Sequence, residues 1–287
     1  MLRERLAGDI RFALSPAEPA RREELIRIHD EDYVDRFISG QLPREVLRRI
    51  GLPWSPEFVW RTLASAGGTL QATQIALAEG FGGALAGGTH HAFRGEGSGF
   101  CVFNDLAIAI AWARTHGGIG RAAVVDLDVH QGDGTASIFE GDPNVYTMSL
   151  HGERNFPFRK QRSAKDVALT DGIGDEDYLN ALESALPDVW RFQPELVLFQ
   201  AGVDGLGSDR LGRLNLTMEG LARRDSMVLG EVKQRGIPLV ITLGGGYSQP
   251  IELTVEAHVQ TFRTAATVLL TGQTKFSASA ESEPLTR

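Results

Sequence analysis

The sequence has very little cysteine: one residue, Cys101, in 287. A single thiol cannot form an internal disulfide, so a secreted disulfide framework is excluded and a reducing compartment is expected. The N-terminal segment carries Arg3, Glu4, Arg5 and Asp9, where a signal peptide needs an apolar core. We therefore predict a cytoplasmic protein.

Long apolar runs and an excess of positive charge are also missing. The longest apolar stretch, residues 106–113, is far too short to span a bilayer and predicts a buried helix. Lys and Arg together number 29 against 37 Asp and Glu, which gives a formal net charge of -8. This balance argues against direct nucleic-acid binding and permits a cationic substrate.

Several common catalytic motifs do not occur. The sequence has no G-x-S-x-G elbow and no Walker A loop. Its one dinucleotide-like glycine pattern, at Gly118 and Gly120, precedes an apolar run, whereas a Rossmann fingerprint must follow a strand. Serine hydrolases, P-loop NTPases and Rossmann dehydrogenases are therefore excluded.

What is present is an alternation of apolar runs and helical segments. Hydrophobic residues make up 42% of the chain, enough for one large core. Residues 1–60 predict helices with polar connections. Strand-length apolar runs are predicted at 83–88, 122–127, 145–150, 196–201 and 239–243, and helices at 62–79, 177–192 and 217–235.

This alternation is typical of an α/β protein in which crossover helices cover a parallel sheet. We predict one domain over residues 1–276. Residues 277–287 are rich in Ser and Glu without periodicity, and we predict a disordered tail there.

Unusual polar clusters follow directly after the predicted strands. They include Thr89-His90-His91, Asp126-Leu-Asp128-Val-His130-Gln-Gly-Asp133, Ser149-Leu-His151, Ala201-Gly-Val-Asp204 and Gly244-Gly-Gly-Tyr247. Ligands bind at the carboxyl ends of parallel strands. We therefore expect these five loops to meet at one edge of the sheet.

Asp126, Asp128 and His130 stand at alternate positions, so an extended backbone points all three to one side. A lone aspartate at a strand end more often caps the next helix. Three such side chains, with Asp204 after a neighbouring strand, instead favour a metal site.

Other residues in these loops have candidate catalytic roles. His90 or His91 can act as a base beside the metal, with Asp126 and Asp133 as partners that tune it. The Tyr247 phenol can donate a hydrogen bond to a developing oxyanion, although a mobile loop or a core tyrosine is an alternative. Cys101 lies among apolar residues and is disfavoured as a nucleophile.

Four ordered motifs resemble those of the histone deacetylase family, within the arginase and deacetylase superfamily. They are Gly87-Gly-Thr-His-His91, Ser98-Gly-Phe-Cys-Val-Phe-Asn-Asp105, Val125-Asp-Leu-Asp-Val-His-Gln-Gly-Asp-Gly134 and Leu243-Gly-Gly-Gly-Tyr247. The resemblance covers about residues 25–270 and is greatest to class IV members and their bacterial relatives. It implies a single-domain, three-layer α/β/α sandwich on a mainly parallel sheet.

The resemblance also implies a role for each site residue. Zn²⁺ would be held by Asp128, His130 and Asp204, with His91 as general base and acid and His90 as its electrostatic partner. Asp126 would orient His90, Asp133 would orient His91, and Tyr247 would polarise the acyl carbonyl. The substrate-contacting residues would be Gly99, Phe100, Phe156 and Gly245. A structural K⁺ would bind at Asp126, Ser149 and Leu150 with the main chain of Asp128 and His130.

Two departures from the family pattern stand out. Gln131 occupies a position where many relatives have a second histidine, although class IV members share the glutamine. The chain starts inside the region where relatives have an opening strand and a His-Pro-Glu-type segment. Either the true start lies upstream or that strand is absent.

The resulting hypothesis is a zinc-dependent amidohydrolase that removes acetyl or longer acyl groups from N-acyl-lysine. An acetylpolyamine amidohydrolase is the nearest alternative, and a non-catalytic acyl-lysine binder is the alternative from another class. An arginase-like manganese enzyme would need more aspartates for two metals. Composition leaves the oligomeric state open.

Overall fold

The computed structural model describes residues 1–270, which form ten helices and six strands. The helices are α1 (Leu2–Ala7), α2 (Arg22–Leu25), α3 (Glu31–Ile38), α4 (Arg44–Ile50), α5 (Pro56–Glu79), α6 (Asp105–His116), α7 (Asp133–Phe139), α8 (Asp175–Arg191), α9 (Met218–Arg235) and α10 (Ile251–Leu270). The strands are β1 (Phe81–Gly83), β2 (Ala122–Asp126), β3 (Val145–Gly152), β4 (Lys165–Leu169), β5 (Leu196–Gln200) and β6 (Leu239–Thr242).

The strands form one sheet in the order β1-β6-β5-β2-β3-β4, and every neighbouring pair is parallel. In the register, Asp126 at the end of β2 lies between Ser149 of β3 and Gln200 of β5. The chain changes direction across the sheet at β2, so the loops after β2 and β5 emerge side by side. This is the edge at which the polar clusters were expected to meet.

Alternation along the central strands creates a hydrophobic core on each face of the sheet. In β2, Ala123 and Val125 pack into one core and Ala122 and Val124 into the other. Helices α8, α9 and α10 cover the first core, while α3, α5 and α6 cover the second. The predicted three-layer α/β/α sandwich is therefore confirmed.

The sequence prediction was wrong in two places. Residues 83–88 were predicted as a strand, but β1 ends at Gly83, because Gly87 and Gly88 adopt φ of 84° and 80°, which extended strands exclude. The edge strand β4 was missed. It pairs only with β3, and its five residues include Lys165 and the exposed Asp166, so they do not form a continuous apolar run.

No helix within residues 1–270 is long and apolar enough to cross a membrane. The predicted domain boundary at residue 276 and the predicted tail at 277–287 lie outside the described residues.

His29 is a buried neutral histidine that gives the fold a pH dependence. Its Nδ1 donates to the Arg94 carbonyl at 3.1 Å, and its Nε2 accepts from the Asn104 backbone N–H at 2.9 Å. A proton on Nε2 would face that N–H directly. Burial lowers the pKa of His29 to about 4 from 6.5.

We expect His29 to destabilise the fold as the pH falls. The unfolded chain takes up a proton near pH 6.5 and the folded chain only near pH 4, so stability present above pH 6.5 is lost between these values. By pH 5 the loss is about 2 kcal/mol in the free energy of unfolding. Urea unfolding at pH 8 and pH 5 should show a loss about 2 kcal/mol smaller in His29→Gln than in the wild type. The buried His91, His151 and His258, whose pKa values are also lowered to about 4, contribute equally to the loss in both proteins. The exposed His116→Gln should behave as the wild type, and equal losses in all three proteins would contradict the assignment.

Candidate functional site

The loops that follow β1, β2, β3, β5 and β6 enclose a cavity of about 540 Å³ at the carboxyl edge of the sheet. Its base holds the polar residues that the sequence analysis singled out. These are His90, His91, Asp128, His130, Asp204, Gly245 and Tyr247. Residues from five separated loops are thus brought to one place, as expected from their positions after the strands.

Asp128, His130 and Asp204 converge at the base of this cavity. Their ligand atoms all lie within 4.8 Å of one another. His130 Nδ1 is 3.0 Å from Asp128 Oδ1 and 3.1 Å from Asp204 Oδ2. The other carboxylate oxygens accept backbone hydrogen bonds, Asp128 Oδ2 from Gly245 at 2.7 Å and Asp204 Oδ1 from Val129 at 2.8 Å. One oxygen of each carboxylate therefore remains to face the imidazole.

This donor set fits a divalent metal ion such as zinc. Ligand atoms bound tetrahedrally at about 2.0 Å lie about 3.3 Å from one another, close to the spacing around His130 Nδ1. Two carboxylates and one imidazole buried together would otherwise leave negative charge without compensation. Three protein ligands also leave coordination positions open, as catalytic metal sites do.

Gly245 lies against this group so closely that no side chain fits. A Cβ at this position would lie 2.0 Å from Asp204 Oδ2 and 3.0 Å from Asp128 Oδ2. Its backbone N–H meanwhile orients Asp128. Glycine is thus required by the packing of the two carboxylates.

Two histidine–aspartate pairs stand beside the ligand group. His90 Nδ1 is 2.7 Å from Asp126 Oδ2, and His91 Nδ1 is 2.6 Å from Asp133 Oδ1. The Nε2 atoms of the two histidines are 3.1 Å apart. Because each Nδ1 is engaged by a carboxylate, Nε2 is the nitrogen left to exchange protons.

The two histidines differ in charge. Burial alone would lower both pKa values, but the carboxylates of Asp126 and Asp128 outweigh it and raise the pKa of His90 to about 9. Burial and the positive charge of His90 lower the pKa of His91 to about 4. At neutral pH, His90 Nε2 therefore carries a proton, whereas His91 Nε2 carries a lone pair that can accept one.

Asp105 holds the loop that carries the histidine pair, a role that the sequence analysis did not assign. Its buried carboxylate accepts hydrogen bonds from the backbone of Gly88 at 2.9 Å and of Thr89 at 2.7 Å. The hydroxyl groups of Thr69 and Thr89 also donate to it, each at 2.6 Å. Asp105 ends the motif Ser98–Asp105, but the sequence next to it does not indicate which loop it contacts.

Arg224 lies behind the ligand loops and was also missed. Its buried guanidinium donates to the carbonyls of Leu127 at 3.3 Å and Gly202 at 2.5 Å, and it pairs with Asp225 at 2.7 Å. It therefore ties the backbone just before Asp128 to the backbone just before Asp204. Only the three-dimensional packing of α9 against the sheet brings it there.

Tyr247 lines the same cavity and is 40% exposed. Its backbone N–H donates to Asp209 Oδ2 at 2.5 Å, which fixes the end of the triglycine loop. Partial burial raises the pKa of Tyr247 to about 12, so the phenol is protonated at neutral pH and available as a donor.

Aromatic rings form the upper walls of the cavity. Phe156 packs edge to face on His91, with ring centroids 4.9 Å apart, and Phe100 lies 6.1 Å from the ring of Tyr247. Phe100 has φ of 67°, an uncommon conformation that holds its half-exposed ring at the mouth. A Cβ at Gly99 would lie 2.7 Å from the His91 ring, so glycine is needed there too.

Cys101 is buried next to this wall. Its thiol contacts the Gly99 carbonyl at 3.4 Å, and burial raises its pKa far above the usual range. A thiol held protonated is a poor nucleophile.

The residues expected to bind potassium lie together at the ends of β2 and β3. Asp126 is in register with Ser149, and Leu150 follows on β3. Asp126 Oδ1 accepts from the Asp128 backbone at 3.2 Å, and Ser149 Oγ contacts His151 Nδ1 at 3.0 Å. A cation at this position stays a prediction.

Gln131, the residue that departs from many relatives, points away from the metal ligands. Its side chain donates to Asp166 Oδ1 and to the Gln161 carbonyl, each at 2.7 Å, and accepts from the Gln161 backbone at 2.8 Å. It therefore anchors the loop between β3 and β4 and leaves the ligand group intact.

Comparison with known proteins agrees with this geometry. A histone deacetylase domain matches residues 1–262. The chain is 48% identical to an uncharacterised protein of Picosynechococcus sp. over 242 residues, which cover 84% of this chain and 81% of that protein. It is 32% identical to histone deacetylase 2 of Arabidopsis thaliana, over 79% of this chain and 62% of that protein.

The chain is also 32% identical to a polyamine deacetylase of Homo sapiens, over 85% of this chain and 40% of that protein. It thus spans less than two thirds of the length of the plant and human relatives. The domain match extends through every loop that contributes to the cavity. The chain belongs to the histone deacetylase family of hydrolases.

Proposed function

We propose that this protein is a zinc-dependent amidohydrolase that removes acyl groups from the side-chain amine of N-acyl-lysine. One observation carries this proposal: two carboxylate-paired histidines stand beside three converging metal ligands at the base of a single cavity. A metal ion and a paired base are the two components that amide hydrolysis by activated water requires.

Asp128, His130 and Asp204 would hold the zinc ion. When bound, it supplies a Lewis acid that polarises the acyl carbonyl and acidifies water. Val129 N–H and Gly245 N–H fix the two carboxylates, so the ligands keep their orientation during turnover. A structural potassium ion at Asp126, Ser149 and Leu150, with the main chain of Asp128 and His130, is part of the same proposal.

His91 would move the protons. Its Nδ1 is held by Asp133, and its Nε2 would accept a proton from the attacking water and deliver it to the leaving lysine amine. His90, paired with Asp126, would stay positively charged and stabilise the negative charge that develops nearby. Both imidazoles are buried, which strengthens these interactions.

Tyr247 would donate its phenolic hydrogen to the carbonyl oxygen as that oxygen becomes negative. Gly99, Phe100, Phe156 and Gly245 would line the path of the substrate. The two aromatic rings would flank the aliphatic lysine stem, and the Gly99 carbonyl would lie on the same wall. Since every proposed ligand and donor is retained, a purely acyl-lysine-binding role is disfavoured.

We expect long acyl chains to be better substrates than acetyl, as the resemblance to class IV enzymes implies. The cavity reaches Gly87, Gly88 and Gly244, none of which fills it with a side chain. Each methylene transferred from water is worth about 0.8 kcal/mol, or roughly fourfold in kcat/KM, until the cavity is full. Beyond that length, overpacking costs about 1–3 kcal/mol and the rate should fall.

The test is kcat/KM on one peptide that carries acetyl, butyryl, octanoyl, decanoyl or myristoyl lysine. A steady fall from acetyl onward would reject the long-chain preference while supporting hydrolysis. No turnover of any acyl-lysine by zinc-loaded protein would reject the proposed function itself.

A further inference from the structure

The mouth of the cavity is lined by three arginines. Arg49 lies on α4, Arg154 in the loop after β3, and Arg213 in the loop that follows Asp204. Apart from the ligands Asp128 and Asp204, no acidic side chain lines the cavity within residues 1–270. The entrance is therefore positive although the whole chain carries a net charge of -8.

Acidic neighbours compensate these arginines only in part. Arg49 pairs with Glu96, which leaves Arg154 and Arg213 to share one carboxylate, Asp171. Arg213 Nη1 lies 3.2 Å from Asp171 Oδ2, but Arg154 Nη1 approaches it only to 4.0 Å and is 75% exposed. One carboxylate for two guanidinium groups leaves about one uncompensated positive charge on this pair of arginines.

Apolar side chains surround this charge. Phe158 is 90% exposed and Phe100 is half exposed, and Leu211, in the loop after β5, is 45% exposed and also lines the cavity. Guanidinium groups are weakly hydrated and bind carboxylates through two parallel hydrogen bonds. An apolar rim beside them lowers the local dielectric and strengthens such contacts.

We propose that the entrance selects acyl-lysine flanked by acidic residues, with Arg154 and Arg213 as the specificity-determining side chains. This inference rests on the proposed acyl-lysine hydrolase function. Carboxylates next to the modified lysine would meet the arginines while the acyl chain enters the cavity. A polycation such as an acetylated polyamine would meet like charge instead and is a poor substrate for this entrance.

The test compares peptides of equal length that carry the same acyl-lysine with Asp, Asn or Lys on both sides. The expected kcat/KM is about threefold to tenfold higher for the Asp peptide than for the Asn peptide, because two exposed ion pairs contribute about that much. For the Lys peptide, kcat/KM should be lower than for the Asn peptide. The difference should lie in KM and shrink as salt rises. An acetylated polyamine is assayed alongside.

Three variants separate a direct contact from a structural effect. Arg154→Gln combined with Arg213→Gln should bring the Asp-to-Asn ratio close to one. Asp171→Asn frees both guanidinium groups and should raise the ratio, a change that a merely structural role would not produce. Arg223→Gln, on the exposed face of α9 and paired with Glu176, is the matched control and should keep the wild-type ratio.

Equal rates on all three peptides would overturn the charge selection and leave the hydrolase proposal standing. Preference for the Lys peptide, or faster turnover of the acetylated polyamine, would also overturn it. No turnover of any peptide by zinc-loaded protein would overturn the proposed function on which it rests.

Discussion

Removal of the metal should abolish hydrolysis, and zinc should restore it. The only proposed source of activated water is the site formed by Asp128, His130 and Asp204, and the buried Cys101 thiol offers no covalent alternative. Several kcal/mol of transition-state stabilisation depend on the ion, so turnover should fall about a thousandfold or more. The measurement is activity after chelation and after zinc is added back, with metal content determined by elemental analysis.

Asp204→Ala should reproduce the chelated state even with excess zinc. It removes one ligand and also the acceptor for the Val129 N–H. Asp32→Ala is the control, because Asp32 is exposed on α3, far along the chain from the ligands, and forms an ion pair with Arg36, one turn away. Wild-type turnover by protein shown to be free of metal would refute the metal-dependent mechanism.

Gly245→Ala should weaken metal binding without removing a ligand. The added methyl group would lie 2.0 Å from Asp204 Oδ2, so a ligand must move. Disturbing groups that orient ligands typically weakens metal affinity by about tenfold to a hundredfold. Gly230→Ala is the matched control, since a Cβ there meets nothing within 4 Å. Metal dissociation constants measured by competition with a chelating dye would separate the two variants.

The sequence predicted those parts of the fold that depend on local pattern. Strands β2 and β5 are buried on both faces and appear as continuous apolar runs. The β4 strand was missed because an edge strand with one exposed face lacks that signal. The residues expected at the strand ends do meet there, because parallel strands bring their carboxyl ends to one edge.

Features that depend on distant segments could not be predicted. Asp105 lies fourteen or more residues along the chain from the His91 loop that it holds, and the adjacent sequence does not indicate that contact. The three entrance arginines come from three separate parts of the chain. Total charge permitted a cationic substrate, yet three arginines line the cavity, because charge at a site depends on which side chains converge there.

Tyr247→Phe should lower kcat by about a hundredfold to a thousandfold, the usual effect of losing one donor to a developing oxyanion. The substitution keeps the ring that faces Phe100, so the cavity wall and the metal ligands should persist. KM and bound zinc should therefore change little, which assigns the loss to the transition state.

Tyr146→Phe makes the same chemical change far from the site. Tyr146 lies near the start of β3, at the opposite edge of the sheet, and its ring packs on Phe192. This control should retain wild-type kcat. The phenol of Tyr247 is protonated throughout the neutral range because its pKa is raised to about 12, so the loss in Tyr247→Phe should not vary between pH 6 and pH 9. Near wild-type kcat in a zinc-loaded Tyr247→Phe protein would remove the oxyanion role while leaving the metal site in place.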